Sequence, residues 1–285
     1  MKYCALLAFS VASMLSLAAP VPERLLTSEK RPYNYQEHGL TQGLTIDLLH
    51  SMYPQALPAE VELMPWPRAL HTAQITPNVL LFTMGKTAER EQQGFHFIGP
   101  VSRREHWLYS AEPGFQPLLN LAQLKSRQLL IVGLRAGWLS ERLQQEGVAV
   151  ETVGDYEQGM QMLVKGRAQL WLSTELEEQV LKQNSDIGKT LRPVFRLGCS
   201  YNYLALSPGS KPELIADTEA RYEQAIRSPH LHQQKQKWQQ QLGLALGLSA
   251  STGFYLLSEA GTHCAMGFSA TSEMSIAAAR SQSEK

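Results

Sequence analysis

The run Asn78-Val-Leu-Leu-Phe-Thr83 constrains this chain most: it is apolar, contains β-favouring residues and is bounded by Pro77 and Gly85. That pattern predicts a buried strand. The strand ends in a turn carrying Lys86, Thr87 and Arg90. A cation that cannot deprotonate and a hydroxyl donor therefore sit together at one strand end. Arg offers a planar fork of donors that matches two carboxylate oxygens, so the turn has the chemistry to hold a small carboxylate. The plainer alternatives are a solvated turn with helix-start residues, or an ion pair of Arg90 with Glu89 or Glu91.

Strand and helix signals alternate along the body. Residues 43–53 place Leu44, Ile46, Leu49, Met52 and Tyr53 near one helical face, and Pro54 ends the segment. Residues 31–35 are expected to be extended, with a turn over 36–39. Residues 60–64 alternate polar and apolar as a half-buried strand does, and Pro65-Trp-Pro-Arg68 opens a short helix. After a strand at 107–110, a stretch around Pro113, Gly114 and Pro117 leads into a second lobe. There the pattern restarts, with strands at 128–134, 148–153 and 168–172 and helices between and after them. Asp155 is a helix N-cap, and Gly147 and Gly166 close helices. Residues 201–206 return as a strand to the first lobe, and helices over 211–227 and 230–244 complete it.

This alternation predicts an α/β protein of two lobes with mixed, mostly parallel sheets flanked by helices and a cleft between them. The first lobe comprises 19–108 plus 206–244 and the second 109–205, with crossings near 109 and 200–206. From Ala245 onward Gly, Ala, Ser and Thr dominate without a period, so 245–285 is expected to be a tail of low order.

The first 18 residues have the form of a cleavable export signal: Lys2, an apolar core over 5–17, and small residues at Ser16 and Ala18. Cleavage after Ala18 predicts a periplasmic, soluble product. Removing Lys2 leaves 25 basic against 26 acidic side chains. That balance offers no attraction for nucleic acid or an anionic membrane. Cys199 and Cys264 remain, and an oxidising compartment permits a disulfide between them; the alternative is a lone buried thiol at Cys199.

Several motifs together resemble the family 3 extracellular solute-binding proteins, the amino-acid-binding type of ABC transporters. In the first half they are Arg31-Pro-Tyr-Asn-Tyr35, Gly43-Leu-Thr-Ile-Asp-Leu48, Pro65-Trp-Pro-Arg-Ala69, Thr87-Ala-Glu-Arg90 and Gly99-Pro100. In the second half they are Leu121-Ala-Gln-Leu-Lys125, the strand over 129–134 and Met162-Leu-Val-Lys-Gly-Arg167. The likeness covers about residues 25–244. It implies two lobes that close by a hinge on a small carboxylate or zwitterion, an inner-membrane ABC permease as partner, a monomer, and neither cofactor nor metal. By this resemblance Arg90 clamps the ligand carboxylate, Thr87 adds a hydroxyl and Trp66 forms a wall, although Trp66 suits a core position equally. Tyr33 and Tyr35 line the cleft loop, one packing and one touching ligand; Lys86 either adds charge or stays solvated. The turn at Arg135 brings helix-start backbone donors toward the anion.

The chain departs from the family at the position that commonly holds the ligand ammonium with an aspartate, which here is Thr174, flanked by Ser173 and Glu175. Gln169 and Gly85 likewise replace a usual aspartate and serine. The expected function is therefore capture of a carboxylate-bearing solute, amino acid or related, without catalysis. Two alternatives stay open: a cleft enzyme of the cyclohexadienyl dehydratase type with Glu175 as acid or base, and an orphan sensory binder. A Gly-x-Ser-x-Gly elbow is absent, and Gly85-Lys-Thr87 lacks the upstream glycine of a phosphate loop because position 80 is Leu.

Overall fold

The computed structural model describes residues 20–184 and 186–257, so residues 1–18, where an export signal is expected, Cys264 and the rest of residues 258–285 lie outside the described residues. Strand β1 (Arg24–Thr27) buries Leu25 and Leu26 on opposite faces. It leads into a loop that turns at 31–33 where an extended segment was expected. Lys30 N donates to Asn34 O, while Tyr33 N and Asn34 N both donate to Lys30 O. The local bonds of that loop override the extended preference imposed by its proline. β2 (Tyr35–Glu37) and β3 (Leu40–Gln42) form a hairpin whose turn residues, His38 and Gly39, both have positive φ. That is the sense of twist a tight hairpin favours.

Helix α1 (Leu44–Met52), β4 (Val61–Leu63) and α2 (Trp66–Ile75) follow, with Pro67 in the first turn of α2, where a missing N–H is tolerated. β5 (Val79–Gly85) is buried at every residue, and Thr87 caps α3 (Ala88–Gln92). β6 (His96–Ser110) is 15 residues long and carries the chain out of the first lobe. The second lobe holds α4 (Leu121–Ser126), β7 (Ile131–Leu134), α5 (Trp138–Gln145), β8 (Val150–Val153), α6 (Tyr156–Val164), β9 (Leu170–Thr174), α7 (Glu175–Asn184) and α8 (Asp186–Thr190). Asp155 caps α6 by accepting from Gln158 N at 2.8 Å. β10 (Arg192–Leu206), also 15 residues, returns to the first lobe, where α9 (Pro212–Ala225) and α10 (Pro229–Leu242) pack.

The strands run in the order β4-β1-β5-β10-β6-β9-β7-β8. The pairs of β1 with β4 and β5, and of β7 with β8 and β9, are parallel. The pairs of β10 with β5 and β6, and of β6 with β9, are antiparallel. Each lobe thus has parallel outer strands, as strand–helix alternation requires, and the two long strands join the lobes through one continuous ladder. Successive residues feed opposite layers. Leu25, Leu80 and Phe82 pack with Leu48 and Tyr222, whereas Leu26, Leu81 and Met84 pack with Trp66 and Ala69. The second lobe repeats the division, with Ile131 and Leu170 on one side and Val132 and Trp171 on the other.

Two further expectations fail here. Residues 246–256, assigned to a tail of low order, form a hairpin of β11 (Leu246–Ser249) and β12 (Gly253–Leu256), and β12 pairs with β6 at Phe254 opposite Ser102. Gly253 has φ 68, and a Cβ there would lie 2.1 Å from the Val101 carbonyl carbon, so the hairpin docks only through a glycine. The second failure is the lone-thiol alternative: Cys199 is buried in β10 and disulfide-bonded. No helix among the described residues is long and apolar enough to cross a membrane.

Phe254 is 1 % exposed and belongs to the same core as Leu25 and Phe82. Phe254→Ala is expected to destabilise the protein by about 3–5 kcal/mol, read as a lowered urea midpoint. A low-order tail would give no change.

Candidate functional site

A narrow cavity of about 50 Å³ lies where the ends of β5, β7 and β9 meet the crossing strands. The first lobe contributes Lys30, Trp66, Thr83, Gly85 and Arg90, the second Leu134, Gly137, Trp138, Ser140 and Tyr156, and the crossing strands Arg104, His106 and Asn202. No Asp or Glu is among its lining residues.

Arg90 is 6 % exposed, a position that desolvates its charge. Its Nη1 donates to Gly85 O at 2.7 Å, its Nη2 to Ala136 O at 3.4 Å, and its guanidinium lies 5.6 Å from the Trp66 ring centroid. Burial lowers its pKa, with Glu141 and Glu89 acting weakly the other way. The alternative of an ion pair with Glu91 is not realised, because Glu91 binds Lys86 at 2.8 Å. Thr87 holds Arg90 in place from behind: its Oγ1 accepts from Arg90 N at 3.3 Å, and it does not line the cavity.

The lobes meet over this cavity. Trp66 Nε1 donates to Ala136 O at 2.9 Å, so one second-lobe carbonyl receives both Trp66 and Arg90. Trp138 packs on Gly85, where an added Cβ would lie 2.8 Å from the indole Cδ1. The residue at which the family often carries serine is thus a socket for a ring from the other lobe. Gly137, Trp138, Leu139 and Ser140 bring the open N-terminal turn of α5 to the cavity wall, a place that favours negative charge. Thr83 is the extra residue of a bulge in β5, between Phe82 opposite Leu204 and Met84 opposite Tyr203, and has φ 62. Bulges re-aim side chains, and this one places Thr83 in the lining. Its hydroxyl donates to Asn34 Oδ1.

Lys30, Arg104 and His106 form the other wall. Arg104 Nη2 donates to Glu177 Oε1 at 2.6 Å. Burial opposes the Arg104 charge most strongly, but Glu177, Tyr156 and Tyr33 together outweigh it and the net shift is upward. His106 is held neutral by burial and by Arg104 and Lys30, and its Nε2 shares a 2.7 Å hydrogen bond with Ser200 Oγ. Lys30 is 7 % exposed, and burial with Arg104 beside it lowers its pKa to about 7.

The remaining sequence candidates lie elsewhere. Tyr35 packs edge-on against Trp238, with Arg31 stacked 4.0 Å from its ring centroid. Tyr33 is buried against Arg104 with its hydroxyl unpartnered. Lys86 and Arg135 are exposed, Arg135 donating to Thr152 O at 3.4 Å. Thr174 is fully buried opposite His106 in the ladder, its Oγ1 unpartnered, and does not line the cavity. Glu175, the stand-in acid, also lies outside the lining, its Oε2 accepting from Glu105 N at 2.7 Å. The sequence reading missed Lys30, Arg104, His106, Trp138 and Tyr156. A signal for two of them was present: Arg103-Arg104-Glu105-His106 is a charged run between Val101 and Trp107, inside a strand.

No family model and no curated sequence matches the chain. Solved structures do. The ancestral amino-acid-binding protein described as a precursor of cyclohexadienyl dehydratase superposes with a TM-score of 0.64 at 17 % identity, covering 75 % of this chain and 94 % of that one. A periplasmic binding protein of Salmonella typhimurium with high arginine specificity gives 0.64 at 15 %, covering 75 % and 97 %. A histidine kinase sensor domain similar to periplasmic binding proteins gives 0.66 at 16 %, covering 76 % and 96 %. The chain has the two-lobed periplasmic binding protein fold.

Burial raises the Glu175 carboxyl to about 8, from an ordinary value near 4.5. The folded state therefore holds a proton that the unfolded chain has lost, and stability falls as pH rises between these values. Glu175→Gln is expected to remove that slope, by up to about 1.4 kcal/mol per pH unit, in urea denaturation from pH 5 to 8.

Proposed function

We propose that this chain is a periplasmic solute-binding protein that captures a small carboxylate-bearing solute between its lobes. One observation carries the reading: a buried guanidinium lines the inter-lobe cavity with two backbone carbonyls as its hydrogen-bond partners and no acid. A buried cation without a counter-charge is costly, and an anionic ligand relieves that cost. The α5 N-terminus on the facing wall favours the same sign of charge. The fold supports the reading, since its solved neighbours include amino-acid-binding receptors.

In this reading the first lobe is 19–108 with 206–244, extended by the hairpin over 246–256, the second is 109–205, and the crossings near 109 and 200–206 act as the hinge. Closure stacks Trp138 on Gly85 and joins Trp66 to Ala136. Residues 1–18 direct export, the protein works as a monomer, and an ABC permease receives the solute. A catalytic role has less support, because Glu175, its nominated acid, lies outside the lining.

Arg90→Ala is expected to weaken binding about tenfold to a hundredfold, since a charge-assisted hydrogen bond contributes about 1.5–3 kcal/mol. Calorimetric titration with a panel of amino acids and small carboxylates measures this. Unchanged affinity for whichever solute binds removes Arg90 from the site.

A further inference from the structure

The cavity holds a second basic side chain that no carboxylate of the lining pairs with. Lys30 lines the same cavity as Arg90, is 7 % exposed, and its ammonium makes no hydrogen bond among the described residues. Its ammonium lies 5.5 Å from the Tyr156 ring centroid, with Glu177 attracting it and Arg104 and Arg90 repelling it. Lys30 and Tyr156 also line an adjoining cavity of about 560 Å³, so they form the partition between the two spaces.

Lys30 is fixed by design of its loop. Its backbone N–H and C=O both bond to Asn34, whose side chain bonds to Thr27 Oγ1 at 3.0 Å and accepts from the bulged Thr83. The Lys30 backbone is thus tied to β1 and β5, and β5 also carries Gly85, whose carbonyl accepts from Arg90. Arg104, the third cation in the lining, already has Glu177. Two cations are left, and no carboxylate in the lining offers an ammonium group a partner. Thr174, where the resemblance places an ammonium-binding aspartate, is neutral and outside the lining.

We propose that the cavity takes a small dianion, a dicarboxylate or a carboxylate with a second acidic group, with one acid on Arg90 and the other on Lys30. This inference rests on the solute-binding reading above and narrows it: the ligand needs two negative charges and no amine.

Calorimetry with succinate, glutarate, butyrate, L-glutamine and L-arginine tests it. The better dicarboxylate is expected to bind at least about tenfold tighter than butyrate and than either amino acid. Lys30→Met is expected to erase that preference. The wild-type comparison stands by itself if the variant does not fold. A second readout is proton uptake in buffers of different ionisation heat. Arg104, Arg90, Glu177, Tyr156 and His106 all bear on Lys30, and its pKa of about 7 leaves it mostly neutral at pH 8. A dicarboxylate that pairs with it should draw in a proton at pH 8 in the wild type and not in Lys30→Met. If L-glutamine, L-arginine or butyrate binds as tightly as the dicarboxylates, or if Lys30→Met keeps the preference, the dianion inference is overturned while solute binding stands. If none of the five binds, both fall.

Discussion

The pairing of β6 with β10 is the constraint on which the rest depends. It runs from Arg192 opposite Ser110 to Leu206 opposite His96, with three shifts of register on the way. Both strands belong to both lobes, so the same hydrogen bonds that complete each sheet also connect the halves. Bulges bend and twist a ladder locally, and one of the three, between Asn202 and Leu204, falls at the crossing between the lobes. The ladder also buries ions. Glu105 bonds Arg103 at 3.0 Å and Arg196 at 2.7 Å, which ties one long strand to the other. Buried charges persist when each has a partner, and in this stretch each does.

That rule makes the cavity informative. The paired ions lie on the crossing strands, and the cations without an acid, Arg90 and Lys30, lie on the first lobe facing the second. The second lobe brings to the same place a helix start and an indole. No carboxylate lines the cavity; Glu141 and Glu89 act on Arg90, and Glu177 on Lys30, from beyond the lining, and the proposed anion would supply its charge at the lining itself. The imbalance is local, because the chain as a whole is neutral.

Much of the fold was legible from amino-acid pattern, for definite reasons. β5 and β7 are short apolar runs bounded by turn residues, and α6 announces itself by Asp155 and Gly166. Arg90 drew notice because a strand end places it beside a capping hydroxyl, and it lines the cavity. What escaped was anything set by distant partners. The charged run 103–106 reads as surface when charge is taken to mean exposure, yet each of its residues is buried because Glu177 or Arg196 or a neighbour reaches it across the fold. Lys30 escaped because its burial depends on the second lobe. Tyr35 was over-read: its spacing from Tyr33 is real, but Trp238, more than two hundred residues later, claims its ring. The β11–β12 hairpin escaped because four-residue strands in a Gly- and Ser-rich context carry almost no periodic signal.

The contact of Trp138 with Gly85 separates two properties of the chamber. Charge is set on one side by guanidinium and ammonium groups rooted in β5 and in the loop after β1. Length is set from the other side by one indole resting where the opposing residue has no side chain. A smaller ring at 138 would deepen the chamber without disturbing either cation. Related chains are therefore free to change how large a guest they admit and how acidic it must be through separate substitutions.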